Sequence, residues 1–125
     1  MKIPKYLPIL LFILSNSVFG QRLVKTINSG WEFQLEKSQT SKTVNIPHTW
    51  NAEDAFQENA GYFRGKGIYK RKLSIPAAWK DQSVFLKFQA ANQVTRVFID
   101  NKLVGEHIGG YTAFVFELSE FLKFG

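Results

Sequence analysis

The stretch Val94–Leu118, VTRVFIDNKLVGEHIGGYTAFVFEL, alternates short apolar runs with turn residues. Its first six residues favour a β-strand, and Asp100-Asn101 favours a tight turn because asparagine tolerates a left-handed backbone. Leu103-Val104 then begins the return strand of a hairpin. Gly109-Gly110 breaks the chain, and Ala113–Leu118 follows as another strand with its apolar side chains on one face. This part of the chain is therefore predicted to fold as antiparallel β-structure.

Further short strands are predicted on the N-terminal side of this stretch. Alternating or β-branched residues predict them at Trp31–Leu35, Thr43–Ile46, Ile68–Ile75 and Ser83–Gln89. No segment has the period of a long helix, and only Ser119 is expected to cap a short helical turn. Many short strands separated by glycine and proline turns indicate an all-β sandwich or barrel.

The first twenty residues differ from the rest of the chain. Lys2 and Lys5 precede a short apolar run over residues 6–14, and a polar segment of small residues ends before Gln21. This pattern predicts a secretory signal peptide over residues 1–20 and one domain over residues 21–125. We expect export to the periplasm or the outside of the cell. The apolar run is shorter than the roughly 20 residues of a membrane-spanning helix, so no span is expected after cleavage.

Composition and charge exclude several classes of function. Two of the 16 basic residues and none of the 10 acidic ones lie in residues 1–20, so the net charge falls from +6 to +4 on cleavage. This mild excess does not indicate a nucleic-acid partner. The chain has no cysteine, and His48 and His107 lack the spacing of zinc ligands, so neither a metal nor a cofactor is expected.

Residues 48–67 lack periodicity and are predicted to form a long loop, a feature that is usually functional. Its acids, Glu53, Asp54 and Glu58, are interpreted as solvated rather than catalytic, because no apolar pocket surrounds them. The loop also contains aromatic side chains and planar hydrogen-bonding groups: His48, Trp50, Asn51, Tyr62, Phe63 and Arg64. Two similar residues, His107 and Tyr111, follow the predicted hairpin turn. Such a set suits a sugar, although Trp50 and Tyr62 could equally close the end of the sandwich.

Several motifs occur in an order that resembles a known family. They are Ile27–Phe33 (INSGWEF), Asn45–Asn51 (NIPHTWN), Gly61–Arg71 (GYFRGKGIYKR), Val97–Gly105 (VFIDNKLVG) and His107–Leu118 (HIGGYTAFVFEL). Together they resemble the N-terminal sugar-binding domain of glycoside hydrolase family 2, the family of β-galactosidases, β-glucuronidases and β-mannosidases. The resemblance covers about residues 22–125.

The resemblance implies a jelly-roll, galactose-binding-like β-sandwich, here expected to stop before its last strands. It also implies an immunoglobulin-like domain and a TIM barrel downstream, and the two catalytic glutamates of the family belong to that barrel. The chain is accordingly predicted to be the N-terminal part of an exported glycosidase that hydrolyses O-glycosyl bonds, with no catalytic residue of its own. A stand-alone carbohydrate-binding module and a ligand-free structural domain are the alternatives.

The resemblance also suggests which residues face a carbohydrate substrate. Arg64 falls where family β-galactosidases have an asparagine in the substrate pocket, and Gly109 falls where they have an aspartate. Both differences favour a sugar other than galactose, and the guanidinium of Arg64 suits hydroxyls or a uronate. The predicted substrate-binding residues are Trp50, Asn51, Tyr62, Arg64 and His107. Phe114 and Phe116 are expected to pack against strands beyond the end of the chain.

Overall fold

The computed structural model describes residues 20–52, 56, 61 and 63–125. The predicted signal peptide therefore lies outside the described residues except for Gly20. Tyr62, a predicted substrate-binding residue, also lies outside them, as do the loop acids Glu53, Asp54 and Glu58.

The described residues form seven strands and one short 3-10 helix, which confirms the all-β prediction. The strands are β1 (Trp31–Leu35), β2 (Lys42–Val44), β3 (Gly67–Lys70), β4 (Phe85–Phe88), β5 (Val94–Ile99), β6 (Lys102–Ile108) and β7 (Phe114–Glu117). They pair as one three-stranded sheet, β2-β1-β3, and two two-stranded sheets, β4-β7 and β5-β6. The helix, Ala77–Trp79, was not predicted.

Strand β1 lies at the centre of the three-stranded sheet because its alternating apolar residues supply one inner face. Trp31, Phe33 and Leu35 share that face, and Phe33 is only 3% exposed. Both neighbours run antiparallel to β1, so that Phe33 lies opposite Lys42 on β2 and opposite Tyr69 on β3. This register places the side chains that flank the site described below.

The predicted hairpin is present as β5 and β6. Asp100 and Asn101 form its turn with φ angles of 46° and 68°, the left-handed backbone that the two residue types tolerate. Strand β4 does not pair with its neighbour in sequence but with β7, across the whole hairpin. Such non-local antiparallel pairing around a hairpin is typical of Greek-key and jelly-roll sandwiches.

Aromatic residues on β7 pack on β4 and β6. The ring of Phe114 stacks on Phe88 at 4.8 Å and on His107 at 3.9 Å between centroids. The ring of Phe116 lies over Gly105, where a Cβ atom would be 2.4 Å from it. Phe114 and Phe116 therefore have partners within the chain, and their packing against strands beyond it stays a prediction.

Several predicted boundaries differ from the structure, and the predicted helical turn is absent. Strand β3 ends at Lys70 rather than Ile75, and the Arg71 guanidinium donates a 3.0 Å hydrogen bond to the Ile27 carbonyl. Ser119 begins a turn rather than a helix. Its hydroxyl accepts a hydrogen bond from the Val84 amide and is therefore used to join two strands rather than to cap a helix.

The apolar core of the described residues is small. Phe33, Val97 and Leu118 are the buried hydrophobic side chains there, whereas twelve large hydrophobic side chains are exposed. Four of the exposed ones lie on the outer face of the hairpin: Val94, Phe98, Leu103 and Ile108. Within the same described residues, no helix is long and apolar enough to cross a membrane.

Candidate functional site

Four aromatic side chains gather on the inner face of the three-stranded sheet, and we call them the aromatic cluster: Phe33, His48, Trp50 and Tyr69. The Phe33 ring is the centre, with centroid distances of 4.6 Å to His48, 4.8 Å to Tyr69 and 6.0 Å to Trp50. The strands supply Phe33 and Tyr69, and the segment after Pro47 supplies the other two. The β1–β3 register places Phe33 directly opposite Tyr69.

A hydrogen bond joins the two polar members of the aromatic cluster. His48 Nδ1 lies 2.8 Å from the Tyr69 hydroxyl, and the histidine tautomer decides which of the two donates. Burial, together with the charge of Lys42, lowers the pKa of His48 from its ordinary value. Burial raises the pKa of Tyr69. Both effects favour a neutral pair, since desolvation penalises the charged form of either residue.

Gly67 allows Trp50 to lie directly against β3. A Cβ atom at this position would be 2.7 Å from the Trp50 ring and 2.8 Å from the Phe33 ring. A side chain there would displace one ring or the other, so the glycine is required by close approach. This explains one of the two glycines that flank Lys66.

Asn51 ties together the two ends of the long loop. Its Nδ2 atom donates a 3.2 Å hydrogen bond to the carbonyl of Phe63. Its Oδ1 atom is buried and has no hydrogen-bond partner among the described residues. Arg64 follows Phe63 directly and is exposed. The structure therefore brings Trp50, Asn51 and Arg64 to one edge of the sheet, as three of the five predicted site residues.

His107 occupies a different cluster. It is part of β6, and its described ring contact is the stack on Phe114 of β7. Its Nε2 atom is buried without a hydrogen-bond partner among the described residues, and a Cβ atom on Gly109 would lie 3.2 Å from it. The structure thus gives His107 aromatic neighbours other than those of Trp50.

A groove of about 180 Å³ opens beside the aromatic cluster, between Trp50 and the turn that connects β1 to β2. Its walls combine aromatic rings, hydroxyl groups, an amide and an ammonium group: Phe33, Gln34, Leu35, Ser38, Thr40, Lys42 and Trp50. From the sequence, no site residue was assigned to this turn, so the contribution of residues 36–42 was missed. The signal that could have revealed it is the hairpin register, which places Lys42 opposite Phe33.

The charged groups near these features do not form a metal site. No group of three or more histidine, aspartate or glutamate side chains that could hold a metal ion occurs among the residues that the structure describes. Glu36, the acid nearest in sequence to the groove, forms an ion pair of 2.8 Å with Lys66. The groove and the adjoining edge offer aromatic faces, hydroxyls, an amide and cations, which suit a polyhydroxylated ligand.

Comparison with known proteins identifies the class to which this arrangement belongs. The family described as "Glycosyl hydrolases family 2, sugar binding domain" matches residues 20–125. The chain is 40% identical over 117 residues to a β-glucuronidase of Bacteroides fragilis, covering 92% of this chain and 17% of the relative. It is 25% identical over 113 residues to a β-galactosidase of Thermoanaerobacter pseudethanolicus, covering 90% of this chain and 15% of the relative.

A solved structure supports the same assignment. A calcium-binding mutant of Bacteroides uniformis β-glucuronidase 2 superposes with a TM-score of 0.74 and 38% sequence identity, covering 83% of this chain and 14% of that one. The fold is thus that of a sugar-binding β-sandwich, as predicted from the motifs. The chain belongs to glycoside hydrolase family 2 through its sugar-binding domain. It spans less than a fifth of the length of the relatives named here.

Proposed function

We propose that this chain is the N-terminal sugar-binding domain of an exported glycosidase that hydrolyses β-glucuronides. In this proposal the loop edge with Trp50, Asn51 and Arg64 forms one side of the substrate pocket. The catalytic glutamates belong to a barrel domain outside these 125 residues, with an immunoglobulin-like domain between the two. The reaction is the hydrolysis of an O-glycosyl bond, and this chain contributes substrate binding rather than acid–base chemistry.

The observation that carries the proposal is the loop edge itself. The Asn51–Phe63 hydrogen bond fixes the backbone immediately before Arg64, so the guanidinium extends from an anchored position. An exposed arginine on an anchored backbone is suited to an acidic sugar.

The choice of glucuronide over galactoside rests on two considerations. Two of the relatives named above are β-glucuronidases and are more similar to this chain than the β-galactosidase is. In addition, Arg64 and Gly109 stand where the resemblance predicts an asparagine and an aspartate in galactosidases. A cation in place of a neutral amide favours a substrate with a carboxylate.

Kinetics of Arg64 variants test the proposal. In the protein expressed from the complete reading frame, we expect Arg64→Ala to lower kcat/KM for 4-nitrophenyl β-D-glucuronide by roughly 10- to 100-fold, equivalent to about 1–3 kcal/mol. The value for 4-nitrophenyl β-D-glucoside, which lacks the carboxylate, should change much less. Arg64→Lys should recover part of the loss, because it restores the charge but not the paired donors.

A matched control separates this effect from a general loss of charge. Lys66→Ala removes a nearby cation that is already paired with Glu36 and should leave both kinetic values close to those of the parent protein. Equal loss on both substrates for Arg64→Ala would contradict uronate recognition. Absence of any glycosidase activity in the complete protein would support the alternative of a carbohydrate-binding module without catalysis.

Export is a separate part of the proposal with its own measurement. If residues 1–20 are a signal peptide, the mass of the exported protein should correspond to a chain that begins at Gln21. Retention of Met1 and the apolar run in the exported protein would contradict cleavage. Accumulation in the cytoplasm would contradict the periplasmic or extracellular location.

A further inference from the structure

We propose that the groove beside Trp50 is a further carbohydrate subsite that selects an acidic sugar residue, with Lys42 binding the carboxylate. Trp50, which this subsite shares with the proposed substrate pocket, stacks on the sugar ring. This subsite is lined by the β1–β2 turn and not by Arg64. It does not depend on the chain being part of a glycosidase. Its ligand class is a uronic acid residue, either free or within an oligosaccharide.

The size and lining of the groove suit one sugar ring. Its volume of about 180 Å³ is comparable to that of a single hexose. The Phe33 ring forms the floor but is almost fully buried, so Trp50, which is only half-buried, provides the accessible aromatic face. Aromatic faces cover the C–H face of a pyranose while polar groups at the rim reach its hydroxyls.

The polar wall of the groove is held in place by hydrogen bonds of the turn itself. The Ser38 amide donates to the Leu35 carbonyl at 2.9 Å, and Gln34 Nε2 donates to the Ser38 carbonyl at 2.6 Å. The hydroxyls of Ser38 and Thr40 lie 3.0 Å apart. A wall fixed in this way loses little conformational freedom when a ligand binds, which lowers the cost of binding.

The charge of the groove favours an anion. The three ion pairs among the described residues join other side chains, so Lys42 has no carboxylate partner there. Its Nζ atom lies 5.8 Å from the centroid of the Phe33 ring, at the mouth of the groove. The nearby Glu36 carboxylate is already paired with Lys66. A ligand carboxylate would therefore meet a cation that no acid of the described residues pairs with.

Nuclear magnetic resonance titration of the full chain tests this subsite. With methyl β-D-glucuronide, we expect shifts of the Trp50 indole N–H and of the amides of residues 38–42, with a dissociation constant in the millimolar range. The Trp50→Phe spectrum assigns the indole signal. Methyl β-D-glucoside should bind at least about fivefold more weakly, and sodium acetate should not reproduce the Trp50 shift.

Variants with exposed side chains keep the test independent of folding. Lys42→Gln should abolish the preference for the glucuronide over the glucoside, whereas Lys87→Gln, an exposed lysine on β4, should leave it unchanged. Thr40→Val should weaken both sugars. Arg64→Ala should leave this binding intact, so that a failure of the subsite and a failure of the proposed function are distinguishable.

Three results would overturn the subsite. Unmoved signals of Trp50 and residues 38–42 at saturating glucuronide would exclude binding in the groove. Equal affinity for glucuronide and glucoside would exclude selection by Lys42. A Trp50 shift of the same size with acetate would reduce the site to one that binds any small anion.

Discussion

Two aromatic clusters of this domain each contain a histidine, but they differ in the hydrogen bonding of the histidine ring nitrogens. His48 contacts Phe33 and bonds the hydroxyl of Tyr69. His107 stacks on Phe114, and its Nε2 atom is buried without a partner among the described residues. The first cluster is therefore complete in itself, whereas the second contains a polar atom that costs free energy unless another group reaches it.

The difference indicates what each cluster contributes. In the aromatic cluster, the ring of Trp50 stacks on Phe33 and borders a groove. The cluster around Phe114 joins β4, β6 and β7 through the rings of Phe88, His107 and Phe114. Ligand binding is accordingly expected beside Trp50, and the main contribution of the second cluster is to stability. Substitutions in the two clusters can test that contrast.

The largest effect is expected for the centre of the aromatic cluster. Phe33→Ala removes a ring that is 3% exposed and touches three aromatic side chains, so it should lower the free energy of unfolding by about 3–5 kcal/mol. Phe85→Ala on β4, where the side chain is 55% exposed, should cost much less. Urea unfolding followed by tryptophan fluorescence measures both. Similar losses of unfolding free energy for the two variants would show that the aromatic cluster is not a packed core.

A second effect concerns the glycine in each cluster. A Cβ atom would meet Trp50 at 2.7 Å on Gly67 and Phe116 at 2.4 Å on Gly105. Both Gly67→Ala and Gly105→Ala should therefore destabilise the domain by about 1–3 kcal/mol through overpacking. Gly61→Ala is the matched control, because a Cβ atom there meets nothing within 4 Å. A neutral result at Gly67 with a cost at Gly61 would contradict the described packing.

Replacing each histidine by phenylalanine compares the two clusters directly. His48→Phe removes the partner of the Tyr69 hydroxyl and should cost about 1 kcal/mol of unfolding free energy. His107→Phe preserves a ring on Phe114 while removing the unpartnered nitrogen, and should be neutral or stabilising. Thermal melting of both variants gives the ordering. The reverse ordering would mean that His107 has a partner and His48 does not need one.

The smallest effect is a pH dependence that belongs to one histidine. The pKa of His48 is lowered in the folded protein by burial and by Lys42. The ordinary pKa of histidine, 6.5, applies to the unfolded chain. When the pH falls below 6.5, the unfolded chain therefore binds the proton more readily than the folded chain does. The free energy of unfolding accordingly falls as the pH falls from 6.5 through the pKa of His48 in the folded protein. The urea midpoint should be lower at pH 5 than at pH 7.5. His48→Gln should reduce this difference.

Much of the fold was predictable because it depends on local patterns. Strand β1 was predicted with its observed bounds from the alternation of Trp31, Phe33 and Leu35, and the β5–β6 turn from the tolerance of asparagine for positive φ. The end of β3 was not predictable, because Arg71 leaves the strand direction to bond the carbonyl of Ile27, forty-four residues away. Long-range hydrogen bonds of this kind leave no local signal.

The candidate site was predictable only in part for the same reason. The motif of Trp50 and Asn51 and the residue Arg64 indicated the loop edge, and the Asn51–Phe63 bond brings its two sides together. The separation of His107 from this edge follows from strand pairing, which a list of aromatic and polar residues does not contain. Lys42 and the turn residues Ser38 and Thr40 became part of a groove only through the pairing of β1 with β2.

The most direct test of the proposed division of labour is an assay of the 125-residue chain by itself. We expect purified chain to release no 4-nitrophenolate from β-D-glucuronide or β-D-galactoside substrates above the buffer rate, because the acid pair that breaks the bond is proposed to belong to another domain. Measurable turnover that disappears when Glu53, Asp54 and Glu58 are replaced by their amides would place catalysis within this chain and contradict the proposal.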